Sequence, residues 1–337
     1  MKRVLMPLVP LYAAAVGAKN LACERGWIRQ QRLRWPVVSI GNLSMGGSGK
    51  TPLTIRLAEL FLQRGIAVDV LSRGYGRRGE DVKRVDPSGS AEDFGDEPLL
   101  IAQSTGAPVF VGANRCAAGS QAETAATGPT VHLLDDGFQH RQLARDVDIV
   151  VLHRSDFEER LLPAGRLREG FSSLARAHII VMRQEDRTLE GELRRRGCNQ
   201  PVWWIERRLE FPNARRVVAF CAIARDEEFF AELRAKGVAV LAKRAWRDHH
   251  RYTEADLAEL IELRRQHQAE AFVTTEKDLV RITAEQQRTL ESAAPLRAPK
   301  LIVRLQGEAA AMEQLLSMLP ANRREAAGRP AADAVRK

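Results

Sequence analysis

Between an apolar run and an amphipathic stretch the chain reads "SMGGSGKTP", residues 44–52, a set of residue types suited to holding phosphate. Glycines at 46, 47 and 49 allow turns that side chains oppose, so the amides of Gly46, Gly47, Ser48 and Gly49 can face one anion. A helix beginning at the end of such a loop adds the partial positive charge of its N-terminus. Lys50 would neutralise the β- and γ-phosphates, and Thr51 would offer its hydroxyl to Mg²⁺. Ser44 stands where the strict G-x-x-x-x-G-K-[ST] pattern has its first glycine. Met45 occupies the position of the second lysine found in switch ATPases of the partition type, which weighs against that class. "TTEKD" sets Lys277 directly beside Asp278, without the spacer of the guanine-reading N-K-x-D motif, so ATP is the expected nucleotide.

A second stretch, "VHLLDDGFQH", ends an apolar run in two adjacent carboxylates, Asp135 and Asp136. At the carboxyl edge of a parallel sheet, one of them can support Mg²⁺ directly or through water. The four cysteines, Cys23, Cys116, Cys198 and Cys221, form no C-x-x-C pair and suit a reducing compartment. Any metal is therefore expected to be a hard cation on oxygen ligands. A net charge of +9 over 337 residues calls for an anionic partner. Aromatics make up only 6% of the chain and scarcely interleave with the basic residues, which argues against nucleic acid.

These residues need elements to hold them. "WPVVSIGN" reads as the strand before the glycine loop and "TPLTIRLAELFLQRG" as the helix after it. Leu53, Leu57, Leu60 and Phe61 share one face of that helix, and Gly65 ends it. "AVDVLS", "APVFVG", "TVHLLDD", "VDIVVLH" and "HIIVMR" alternate with helical stretches. This is the pattern of an α/β fold with a parallel sheet covered by helices on both faces. From about residue 211 a second, smaller α/β unit is expected to run to 320, through "RVVAFCAIA", "VAVLAKRAW", "AEAFVTTEKD" and "KLIVRLQ". The first domain is then 37–210, and 321–337 reads as a disordered polar tail. Residues 1–36 form an apolar and basic helical segment. Its uncharged run from Val4 to Ala18 would span roughly 22 Å as a helix, short of the ~30 Å hydrocarbon core. Followed by Arg25, Arg29, Arg32 and Arg34, it is expected to lie in a membrane interface among anionic headgroups. Docking on the protein's own core is the competing reading.

"GNLSMGGSGKTP", "SRGYGR", "GDEP", "VGANR", "DDGFQH", "LLPAGRLRE", "DHH" and "TTEKD", in this order, resemble the tetraacyldisaccharide 4′-kinase (lipid A 4′-kinase) family from Met1 to about Leu305. The resemblance implies a P-loop enzyme, peripheral to the cytoplasmic face of the bacterial inner membrane. It would use ATP and Mg²⁺ to phosphorylate the 4′-hydroxyl of an acylated disaccharide 1-phosphate, giving lipid IVA, with no obligate protein partner. Carried over, Lys50 and Thr51 are phosphate and Mg²⁺ residues, and Asp135 and Asp136 metal or catalytic carboxylates. Glu169 becomes a further Mg²⁺-related acid, Asp96 the base and His249 its partner. Asn42, Tyr75, Arg115, Gln139, His140 and Arg168 are implied contacts to substrate or phosphate. One departure stands out: "CAIARDEE" carries Ala222 and Arg225 where a Gly-Ile-Ala/Gly-Asn-Pro-like turn is expected. Two rivals remain at this stage, a P-loop switch ATPase and a basic protein that holds nucleotide for structure alone. Acceptor-dependent ADP release separates all three.

Overall fold

The computed structural model describes residues 5–210 and 214–320. The expected tail at 321–337, and the linker at 211–213, lie outside the described residues, as does Val4 at the head of the apolar run.

The chain first builds α1 (Val9–Glu24), β1 (Val37–Asn42), α2 (Lys50–Gln63), β2 (Val68–Ser72), β3 (Lys83–Arg84), α3 (Ala91–Phe94), α4 (Asp96–Thr105), β4 (Val109–Val111), α5 (Arg115–Ala125), β5 (Val131–Asp135), β6 (Val147–Val151), β7 (Ile179–Arg183), α6 (Glu190–Arg195) and β8 (Val202–Glu210). It continues through β9 (Arg216–Cys221), α7 (Asp226–Ala235), β10 (Ala239–Ala245), α8 (Glu254–His267), β11 (Ala271–Val273), α9 (Glu276–Leu279), α10 (Ala284–Ala293) and β12 (Leu296–Arg297). It ends in β13 (Lys300–Leu305) and α11 (Glu308–Met318).

Nine strands form one sheet in the order β13-β8-β7-β6-β1-β5-β2-β4-β3. Only the edge pairs β13·β8 and β3·β4 are antiparallel. Every residue of β1, β2, β5 and β6 is buried, as expected when helices cover both faces of a parallel sheet. Leu53, Leu57, Leu60 and Phe61 of α2 are at most 2% exposed and lock that helix onto the sheet beside the glycine loop. Four parallel strands, β10-β9-β11-β12, make the smaller sheet.

The expected boundaries need one correction. β13 and α11 were assigned to the smaller unit, but Lys300–Leu305 pairs with Glu210–Ile205 of β8 and completes the larger sheet. The smaller domain is therefore an insertion between β8 and β13. At the N-terminus, the helix of the 1–36 segment ends at Glu24. α1 docks on the larger domain through polar groups: Tyr12 Oη donates to Arg168 O at 3.0 Å and Asn20 Nδ2 to Glu169 Oε2 at 3.1 Å. Leu11 and Leu21 remain exposed on it, Leu11 at 70%, and Leu8 is exposed in the turn just before it. No helix of the described residues is long and apolar enough to cross a membrane.

The carboxyl edges of the two sheets face each other. Loops leaving β9, β10 and β11 meet the glycine loop after β1 and the start of α4, where ligands of open α/β sheets collect.

Candidate active site

The glycine loop joins β1 to α2 as expected. Gly46, Gly47 and Gly49 all have positive φ, at 75°, 57° and 91°. Ser48 is buried with its Oγ unpartnered among the described residues, and Lys50 is the first residue of α2. Lys50 Nζ donates to Asn42 Oδ1 at 3.1 Å and lies 3.5 Å from Asp136 Oδ1. Arg168 grips the same carboxylate at both oxygens, at 3.0 and 2.7 Å, and also bonds Asn42 Oδ1. Gln139 Nε2 donates to the Asn42 carbonyl at 3.0 Å. The predicted residues Asn42, Lys50, Asp136, Gln139 and Arg168 thus form one cluster beneath the loop. Within it Asn42 is fully buried and holds Lys50 and Arg168 in place, so its position is structural to the loop rather than open to a sugar.

The two adjacent aspartates differ. Burial pushes Asp136 up, but Lys50 and Arg168 outweigh it and hold the carboxyl well below the usual range. Asp135, buried and hydrogen-bonded by Thr54 and Ser72, is pushed up to about 7 by burial and by the charges of Glu97 and Asp136. Negative charge packed this way, beside a helix N-terminus bearing Thr51, fits a hard divalent cation. Among the described residues no three His, Cys, Asp or Glu side chains converge to hold a metal. Mg²⁺ characteristically takes one or two carboxylates and completes its shell with water and phosphate oxygens. Glu169 does not join this group. Its Oε2 is bonded by Arg176 at 2.7 Å and by Asn20 of α1, which anchors the helix.

Asp96 and His249 lie 153 residues apart in sequence, yet His249 Nδ1 is 3.0 Å from Asp96 Oδ2. Asp96 opens α4 and also accepts from the Glu97 amide at 3.0 Å. His249 follows β10 with φ of 63°. Tyr75 stands beside it, ring centroids 4.9 Å apart. A cavity of about 460 Å³, lined in part by Tyr75, Ser90, Arg251 and Gln286, opens onto this pair. His250 is an ordinary structural histidine, stacked on Trp246 and bonded to Asp256 at 2.9 Å. Arg115 and His140 form a third group. Arg115 is buried and donates to Ala113 O at 2.8 Å. His140 is pushed down to about 4 by burial and by Arg115 and Arg145, so it is neutral at working pH.

Several residues that complete the site carried no signal of their own. Arg281 Nε donates to Asp96 Oδ2 at 2.8 Å. Lys277 pairs with Glu97 at 2.9 Å, its pKa held up by Glu97, Asp96 and Asp248 against the pull of burial. "TTEKD" belongs to the family-like motifs and also tests the guanine pattern, but neither reading gives Lys277 a role. Burial pushes Asp96 up, and His249, Lys277 and Arg281 together hold it far below the usual carboxylate range. Asp248, next to His249, has Oδ2 3.7 Å from where a Cβ on Gly46 would sit. The dyad loop therefore touches the glycine loop. A cavity of about 180 Å³ lies between the lobes, walled by Gly47–Thr51, Glu97, Asp248 and Lys277 and by the apolar Ile223, Phe229 and Leu301.

Residues 1–320 match the family model described as tetraacyldisaccharide-1-P 4′-kinase. A tetraacyldisaccharide 4′-kinase of Koribacter versatilis is 44% identical over 326 residues, covering 93% of this chain and 98% of that protein. One from Chromobacterium violaceum is 39% identical, over 83% of each chain. Among solved structures, the "apo" form of LpxK from Aquifex aeolicus in complex with ATP is similar with a TM-score of 0.75. It is 29% identical and covers 95% of this chain and 99% of that one.

Proposed function

This chain belongs to the tetraacyldisaccharide-1-P 4′-kinase family, and from that premise we propose how its own residues carry the reaction. The enzyme transfers the γ-phosphate of ATP to the 4′-hydroxyl of a tetraacyl disaccharide 1-phosphate, a step of lipid A biosynthesis that yields lipid IVA. The nucleotide's phosphates sit in the loop Gly46–Gly49, against the α2 N-terminus and Lys50. The apolar wall of Ile223, Phe229 and Leu301 takes the base. Thr51, Asp135 and Asp136 would hold Mg²⁺, which would supply charge neutralisation to the transferred phosphate.

The observation that carries the reading is the Asp96–His249 contact at the mouth of the nucleotide cleft. A sugar hydroxyl is a poor nucleophile, and a positioned proton acceptor speeds its attack. With Nδ1–H donated to Asp96, His249 carries its lone pair on Nε2, which lies 3.8 Å from Asp248 Oδ2, and Asp96 steadies the imidazolium that forms. The oxygen–phosphorus bond forms at the 4′-oxygen, the bond to the leaving ADP breaks, and His249 takes the hydroxyl proton. Arg281 and Lys277 keep Asp96 ionised for this task. A switch ATPase needs no such pair.

The exposed leucines of α1 support a seat on an anionic membrane surface, peripheral to the cytoplasmic face of the inner membrane, where an acylated acceptor would reside. α1 reaches the active cluster directly through Tyr12 and Arg168. The test is ADP release with and without acceptor at saturating MgATP. Wild type releases ADP in step with added disaccharide lipid. Lys50→Ala, losing several kcal/mol of transition-state stabilisation, does so at least ~10²-fold more slowly. ADP release indifferent to acceptor contradicts the proposal, as does a near-normal rate in a folded Lys50→Ala protein.

A further inference from the structure

The turn "CAIARDEE" departs from the expected pattern at Arg225, and the fold gives that side chain a conspicuous position. Arg225 leaves the carboxyl end of β9 in the smaller domain and crosses the cleft to the glycine loop. Its Nε donates to Gly47 O at 2.9 Å, and Nη2 donates to Ser155 Oγ of the larger domain at 3.1 Å. Nη1 faces Glu228 at 3.4 Å. The approach is close enough that a Cβ on Gly47 would lie 2.9 Å from Arg225 Cγ. Glycine is required there by contact as well as by φ.

A second guanidinium flanks the neighbouring glycine. Arg166, from "LLPAGRLRE", has Nη2 3.2 Å from the Cβ position of Gly46. Its backbone is fixed on the loop, Met45 N donating to Arg166 O at 2.8 Å. Two cations, one from each domain, thus bracket consecutive residues of a phosphate-type loop. Burial lowers the Arg225 pKa, and the nearby Arg166 and Arg183 act in the same direction, against Glu228 and Asp156. Arg225 also walls the same cavity as Lys50 and Thr51. Like charges gathered at one loop are relieved by an anion between them.

We propose that Arg225 is a phosphate ligand supplied from the smaller domain, binding the β- or γ-phosphate of a nucleoside triphosphate seated on the glycine loop. It couples the presence of terminal phosphates to closure of the two domains, because its bonds to Gly47 O and Ser155 Oγ already reach the larger domain while Glu228 holds it on the smaller one. A planar fork that serves Gly47 O, Ser155 and a phosphate at once is a task for arginine rather than lysine.

The inference rests on the nucleotide site proposed above, and nucleotide binding tests it without acceptor. Calorimetry on the full chain compares ATP with AMP for wild type, Arg225→Ala and Arg225→Lys. Arg225→Ala should weaken ATP binding by about 10- to 100-fold, the size of one charge-assisted contact, and leave AMP within about twofold. Arg225→Lys should recover part of the loss for ATP alone. Equal weakening of ATP and AMP would assign Arg225 to loop support only and overturn the proposal, and so would unchanged ATP binding. Wild type failing to bind ATP would instead overturn the nucleotide site itself.

Discussion

Asp136 shows how a single residue is set for chemistry. Its φ of 50° is a left-handed conformation that Asp and Asn tolerate better than most residues. Its carboxylate is shared between Arg168 and Lys50. Asp136→Asn keeps the backbone preference and removes the charge, so the protein should melt within a few degrees of wild type. The transfer rate should fall on the order of 10²-fold, since positioning and charge dominate phosphoryl transfer. Melting temperature and initial rate check the two halves, and a wild-type rate would remove Asp136 from the chemistry. The loop and the "DDGFQH" carboxylates were legible because their chemistry is local in sequence. Arg281 was not, because its partner Asp96 lies 185 residues away and no pattern marks it. At Glu169 motif and surroundings point different ways: its motif suggests metal, while its carboxylate is bonded to Arg176 and to α1.

Among the elements, α1 unites two readings that the sequence set against each other. Its polar pins, Tyr12 and Asn20, dock it on the protein, while Leu8, Leu11 and Leu21 face outward. Burying one such leucine is worth about 1.5–3 kcal/mol. Leu11→Glu with Leu21→Glu should therefore lower co-sedimentation with anionic vesicles at least ~10-fold and leave ATP binding intact. Unchanged co-sedimentation would mean that α1 serves only the protein's own packing. β5 carries a different device. His132 is fully buried, 2.8 Å from Asp69 on β2 and 3.5 Å from Glu123. Burial alone would lower its pKa, but Asp69 and Glu123 outweigh it and raise it to about 9. A pKa raised above the unfolded value of ~6.5 gives stability that is complete below pH ~6.5 and lost as pH rises through about 9. Thermal melts should fall across that window in wild type and flatten there in His132→Gln. A wild-type melt level from pH 6 to 10 would contradict the charged pair. β1, β2, β4, β5, β6 and β7 were legible because each is a short, largely apolar run; β3 (Lys83–Arg84) and the half-charged β8 were not, having no such pattern. The place of β13 escaped this reading because its antiparallel pairing with β8 closes a loop of about ninety residues, from Glu210 to Lys300, that no local pattern records.

At the scale of the molecule, neither domain holds a complete site. The larger contributes the loop, the metal-type carboxylates and Asp96. The inserted smaller domain contributes His249, Lys277, Arg281 and Arg225. The two sheets present their carboxyl edges to one another, and all of these groups meet in the cleft between them. The sequence indicated two α/β units; it could not show that one is inserted into the other, that β13 and α11 return to the larger one, or which edges meet. Only the family resemblance joined Asp96 to His249. The central claim is that this pair acts as one proton acceptor across the cleft. It is tested most directly by kcat for Asp96→Asn, His249→Ala and the double variant, with ATP affinity as the control for folding. Each single variant should lose on the order of 10²–10⁴ in kcat, and the double should be hardly worse than the worse single. Losses that multiply fully, or a near-normal rate in His249→Ala, would contradict the account.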